Sequence, residues 1–215
     1  MITLQLRQLD IPVGQRLLIQ HLNWQQFEQI LEELGESRSS RIAYSYGTLE
    51  IRMPSPEHEV DKELIGDLIK SLLDELEIDC ECFGSTTFKQ ETMESGIEPD
   101  QCFYIQNQEK MRGKRRIDLT VDPPPDLAIE VDVIAKTQLA AYAALGVPEL
   151  WLYERGQLNI YTLAASQYQA TTTSPTFSEF PILDWVTEVL EQSIAMGRSP
   201  ALRNFRKRVR QYVID

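Results

Sequence analysis

The residues best suited to chemistry are carboxylates set inside what should be a strand. In PPDLAIEVD, Pro124 to Asp132, the acids Asp126, Glu130 and Asp132 stand two or four residues apart among Leu127, Ile129 and Val131. Side chains alternate between the faces of a β-strand, so these three acids share one face and the three apolar residues the other. Gathered carboxylates repel one another and resist burial unless positive charge sits among them, and a divalent cation held through oxygen is the commonest solution. A second acidic pair, Glu98 and Asp100, directly precedes the strand-like residues of GIEPDQCFYI, Gly96 to Ile105. The two clusters converge if those strands are neighbours. Each acid taken alone reads as a strand-end or turn residue facing water, and only their joint placement points to a metal site. His58 is a further candidate because a helix start near a strand edge can project into a site, although a lone histidine there is more often a surface residue.

The elements that must position these residues follow from periodicity. Trp24, Phe27, Ile30, Leu31 and Leu34 fall at helical spacing, with Gly35 able to end the helix. Arg41 to Pro54 alternates apolar and polar residues on both sides of Tyr46-Gly47, a β-hairpin whose inward residues are expected to be structural. Ser55 and Pro56 read as N-cap and first residue of a helix with Val60, Leu64, Leu68, Ile69, Leu72, Leu73 and Leu76 as its stripe, and with Lys62 among the mostly solvated charges of its margins. Strand character returns from Asp79 to about Lys89 and in Gly96 to Ile105. The acidic strand, Asp126 to Val133, is followed by a helix ended by Gly146 and Pro148, and then by a hairpin of Glu149–Tyr153 and Leu158–Leu163. Strand, helix, strand implies a parallel pairing within a mixed sheet. Two helices, about 182–195 and 199–213, close the chain.

At 215 residues, 42% hydrophobic and 25% charged, the chain is long enough to bury a core and is expected to form one domain. A net charge of -12 argues against general attraction to nucleic acid or an anionic membrane, yet leaves room for a local basic patch. Lys110, Arg112, Lys114, Arg115 and Arg116 are phosphate-contact candidates, with a solvated loop as the commoner explanation. Cys80, Cys82 and Cys102 contain no C-x-x-C pair and, with only two histidines in the chain, no zinc-ligand set, so they read as reduced, structural thiols. No basic-then-apolar leader and no run of membrane-spanning length is visible, so a soluble cytoplasmic protein with no membrane partner is expected.

The strings EHE at Glu57 to Glu59, GSTTFK at Gly84 to Lys89, GIEPDQCFYI, PPDLAIEVD and AYAALGVPELW together resemble the Uma family of restriction-endonuclease-like proteins, within the PD-(D/E)XK nuclease superfamily. The resemblance implies an α/β (α+β) fold, a restriction-endonuclease-like mixed β-sheet flanked by helices. The resemblance runs from about Trp24 to the C-terminal region of a chain expected to be one domain over residues 1–215, with an N-terminal helix and hairpin (1–54), a nuclease-like core (55–163) and a C-terminal helical extension (164–215). It also implies Mg2+ or Mn2+ bound by Asp100 and Glu130, with the Val131 carbonyl and Asp132 as further metal candidates, and hydrolysis of phosphodiester bonds in nucleic acid, DNA first. Pro99-Asp100 matches the PD element and Glu130-Val131-Asp132 the (D/E)XK element, with a departure: Asp132 stands where the superfamily has lysine. Lys136, four residues on, is similar to the basic residue some relatives carry there, and His58 completes the candidate catalytic set. Asp126 is either a cap of the Pro123 to Pro125 turn or a support for Glu130. Double-strand cleavage by a single-site enzyme favours a homodimer. Two other readings stay open: a nucleic-acid-binding or regulatory module that kept the fold without turnover, and a hydrolase of a small phosphorylated substrate.

Overall fold

In the computed structural model, which describes residues 6–35, 38–131 and 136–214, the hairpin and the acidic strand lie in different sheets. After a 3-10 turn at Leu6–Gln8 and strand β1 (Arg16–Ile19), helix α1 (Trp24–Leu34) starts from a capping box in which Asn23 and Gln26 exchange hydrogen bonds of 2.9 Å. Strands β2 (Arg41–Ser45) and β3 (Thr48–Arg52) form the expected hairpin, and Tyr46 and Gly47 both take positive φ, as a tight two-residue turn requires. Helix α2 (Pro56–Glu75) begins at Ser55, whose hydroxyl accepts from the His58 N–H. The Asp79 to Lys89 region is two short strands, β4 (Glu81–Cys82) and β5 (Phe88–Gln90), assigned to different sheets. Strands β6 (Ser95–Ile97) and β7 (Gln101–Tyr104), the short helix α3 (Gln108–Met111) and strand β8 (Leu127–Val131) follow. Helix α4 (Lys136–Ala144), strands β9 (Glu149–Glu154), β10 (Gln157–Ala164) and β11 (Gln167–Thr171), and helices α5 (Ile182–Met196) and α6 (Arg198–Ile214) complete the order.

The first sheet has the order β1-β3-β2-β6-β5 and is antiparallel, and the second runs β11-β10-β9-β8-β7-β4. The expected parallel pairing is present between β8 and β9, joined through α4, inside an otherwise antiparallel second sheet. Each face of β8 meets a different layer. Leu127, Ile129 and Val131 pack with Leu64, Leu68 and Leu72 of α2 and with Trp185 of α5. Ala128, on the opposite face with Glu130, joins Tyr142 of α4 and Ala43 and Ile97 of the first sheet. The far face of the first sheet is closed by Phe27 of α1 against Tyr44, Leu49 and Ile51.

Two expectations for α2 change. Val60 is 67% exposed and so lies outside the apolar stripe, whereas Lys62 is buried, its ammonium 2.5 Å from Glu59. Gly66 explains the closeness of α2 to the sheet, because a Cβ there would stand 3.1 Å from the Gln101 side chain.

Candidate functional site

The chain passes from the first sheet to the second through Glu98-Pro99-Asp100, between β6 and β7. Gln101 is registered with Ile129 across the antiparallel β7·β8 ladder, so Asp100 stands alongside Glu130. The Asp100 N–H donates to the Ile129 carbonyl at 3.1 Å, and the Val131 N–H donates to Asp100 Oδ2 at 2.8 Å. Both carboxylates are fully buried. Glu130 points from β8 toward α4, where the Tyr142 hydroxyl donates to Oε1 at 2.5 Å. The cap at Ser55 fixes the first turn of α2 and brings His58, itself buried, 2.8 Å from Asp100 Oδ2 through Nε2.

The positive charge among these acids is Arg52, the last residue of β3. Its guanidinium donates to Asp100 Oδ1 at 3.3 Å, to Glu130 Oε2 at 2.9 Å and to the Val131 carbonyl at 3.2 Å. Burial and the neighbouring charge of Asp100 push the Glu130 carboxyl up to about 8, against the opposing pull of Arg52 and Tyr142. Burial would raise Asp100 as well, but Arg52, His58 and the Val131 N–H outweigh it and hold that carboxyl below its ordinary value. Burial works against the charge on Arg52, and Glu130 and Asp100 reverse the balance so that its proton is held more firmly than usual. Burial and the Glu130 charge likewise keep Tyr142 in its neutral, donating form.

A family model described as "Uma2: Putative restriction endonuclease" matches residues 24–195, most of the chain. The chain belongs to the Uma2 family. A solved structure from Anabaena variabilis, described as a putative nuclease belonging to DUF820, is similar in fold to this Uma2-family chain, with a TM-score of 0.51 and 16% identity over 73% of this chain and 91% of that one. Among curated protein sequences none matches this chain.

The remaining predicted residues of this Uma2-family chain fall in several places. Asp132 lies outside the described residues. Lys136 is exposed at the first position of α4. Asp126 is a turn cap: it accepts from the N–H groups of Ile105 and Asn107 at 2.7 and 3.1 Å and from the Asn107 amide at 2.9 Å. Glu98 faces the first sheet, bound by Arg38, by the Thr87 hydroxyl at 2.6 Å and by the Ile42 N–H at 3.2 Å. Beside it opens a cleft of about 790 Å³ whose lining includes Arg38, Thr86, Lys89, Arg115 and Arg116. On α6, Arg206 and Arg210 reach Glu75 on α2, and Arg208 pairs with Glu188 on α5 while lying over the Trp185 ring.

Among the described residues, no group of three or more His, Cys, Asp and Glu side chains is gathered closely enough to hold a metal ion. The oxygens that do converge, from Asp100, Glu130 and the Val131 carbonyl, nevertheless have the chemistry of a hard-cation site, and the Arg52 guanidinium is a stand-in cation touching all three. The set therefore suits Mg2+ or Mn2+ by donor type. Arg52 and Tyr142 are the members that sequence reasoning missed. The alternation of Leu49 and Ile51 with Glu50 and Arg52 matches that of a hairpin with one wet face, whereas both faces of β3 are covered here.

Proposed function

We propose that this Uma2-family chain is a metal-dependent endonuclease that hydrolyses phosphodiester bonds, with DNA as its substrate. One observation carries the reading: two buried carboxylates and a main-chain carbonyl, from strand β8 and the corner that leads into β7, converge on a single positive group at 2.9 to 3.3 Å. Buried acids held this way outside an ion-binding or catalytic site are costly to the fold. Asp100, Glu130 and the Val131 carbonyl would hold Mg2+ or Mn2+. Such an ion, when bound, polarises a phosphate oxygen and lowers the pKa of coordinated water. His58 fixes the orientation of Asp100, and Tyr142 that of Glu130. Lys136, exposed at the head of α4, supplies the positive charge that faces the scissile phosphate, and the cleft bounded by Arg38, Lys89 and Arg115 offers contacts to the flanking backbone. Double-strand cleavage by one site per chain calls for two copies, so the working form is a homodimer in the cytoplasm. No helix among the described residues is long and apolar enough to cross a membrane.

The second reading, a nucleic-acid-binding module without turnover, draws support from the same arginine, whose guanidinium stands where a cation would. Incubation of plasmid, linear and single-stranded DNA with the protein and Mg2+ or Mn2+, alongside Asp100→Ala and Glu130→Ala, separates the two. Cleavage in the wild type alone supports the enzyme. DNA binding without cleavage under any metal condition supports the module, and metal binding indifferent to both carboxylates removes the proposed centre.

A further inference from the structure

The inference rests on the metal-dependent reading above and concerns what Arg52 must do when the ion arrives. Hard divalent cations sit roughly 2.0 to 2.6 Å from their oxygen ligands. A cation at that distance from Asp100 Oδ1, Glu130 Oε2 and the Val131 carbonyl would occupy the volume now held by the Arg52 nitrogens, which lie 2.9 to 3.3 Å from the same atoms. Overlap and like charge exclude both at once. Arg52 must therefore leave, and a buried guanidinium leaving two carboxylates needs another anion.

That anion is present on the same strand. Glu50 lies two residues before Arg52, so both side chains leave the same face of β3, roughly 7 Å apart along the strand. Glu50 is 1% exposed, and neither of its carboxylate oxygens has a hydrogen-bond partner. The Arg16 guanidinium stays 3.9 Å away. A buried carboxylate with both oxygens unused is rare enough in native proteins to call for a reason. The Arg52 Nε–H is also without a partner, so the arginine has a donor unused where it now sits.

We propose that Arg52 is a two-position cation: it fills the oxygen site when no metal is present and moves to Glu50 when a divalent cation binds. Arg52 is thus the residue that sets metal affinity, because only the arginine-out population can accept the ion and apparent affinity falls with that fraction.

The test titrates Mn2+ into wild type, Arg52→Ala, Glu50→Gln and the double variant, following the paramagnetic resonance signal of the free ion. Arg52→Ala binds Mn2+ roughly tenfold or more tightly than wild type, as expected when a competing state populated about nine parts in ten is removed. Glu50→Gln weakens binding in the wild-type background and has no effect once Arg52 is absent. Should Arg52→Ala not fold, the side-chain Nε–H resonance of Arg52, assigned by its loss in Arg52→Lys, must still move as the wild type saturates with Mg2+. Equal Mn2+ affinity in wild type and Arg52→Ala, or an Nε–H signal unmoved at saturation, overturns the two-position model and leaves the metal centre standing. Absence of binding in both proteins overturns the metal centre along with it.

Discussion

The Tyr142 hydroxyl stands 2.5 Å from Glu130 Oε1 and ties the crossover helix α4 to the strand that carries the acid. Tyr142→Phe keeps the ring in its pocket and removes only the donor. A buried acceptor left unsatisfied costs about 1 to 3 kcal/mol, so urea unfolding should show a loss of that size with an unchanged denaturant slope. A neutral result would mean that Glu130 finds another donor.

Glu130 also sets a pH dependence. Its carboxyl rises from an ordinary value of 4.5 to about 8 in the folded chain, so between these limits the native state holds a proton that the unfolded state has lost. The contribution is therefore fully present below 4.5 and disappears as pH climbs through about 8. Asp100, shifted downward from 3.8, behaves oppositely and loses its contribution only as pH falls through its lower folded value. Urea unfolding of metal-free protein across this range should show stability declining with pH in the wild type and a flatter profile in Glu130→Gln.

Asp126 is expected to matter for folding and not for metal. Asp126→Ala strips the caps from Ile105 and Asn107 and should destabilise the protein by about 2 kcal/mol. Calorimetric Mn2+ affinity should stay within twofold of wild type, roughly 0.4 kcal/mol. A large loss of affinity would return Asp126 to the metal centre.

Lys136 should show the reverse. Because it is exposed, Lys136→Ala should leave unfolding within about 0.5 kcal/mol of wild type. If it faces the scissile phosphate, metal-dependent DNA cleavage should drop by on the order of a hundredfold, about the size of losing one electrostatic contact to the transition state. Cleavage at the wild-type rate would exclude it from the chemistry.

How much of this was legible in the sequence depended on what covers each residue. The acids of PPDLAIEVD and GIEPDQCFYI stood out because carboxylates inside apolar strands demand an explanation wherever the strands end up. The helix start at Ser55 was legible because capping is local chemistry. Glu50 and Arg52 were not, since their alternation with Leu49 and Ile51 is the pattern of a half-wet hairpin and only tertiary packing buries both faces. Lys62 misled for the same reason: its pairing with Glu59 one turn back is local, but its burial is not. Strand β11, reading QYQAT, carries too few apolar residues to announce itself, and it pairs at the edge of the second sheet because β10 offers it a backbone ladder.

Arg52 belongs to the first sheet, whereas its acceptors are the corner residue Asp100 and, on the second sheet, Glu130 and Val131. The guanidinium is thus a rivet through two plates that the chain also joins at the Glu98-Pro99-Asp100 corner. Withdrawing the rivet turns that corner into a hinge, so loading the site and loosening the joint become one event. Amide hydrogen exchange in β2 and β3 should then quicken on metal binding, the opposite of the rigidity that a bound ion usually confers.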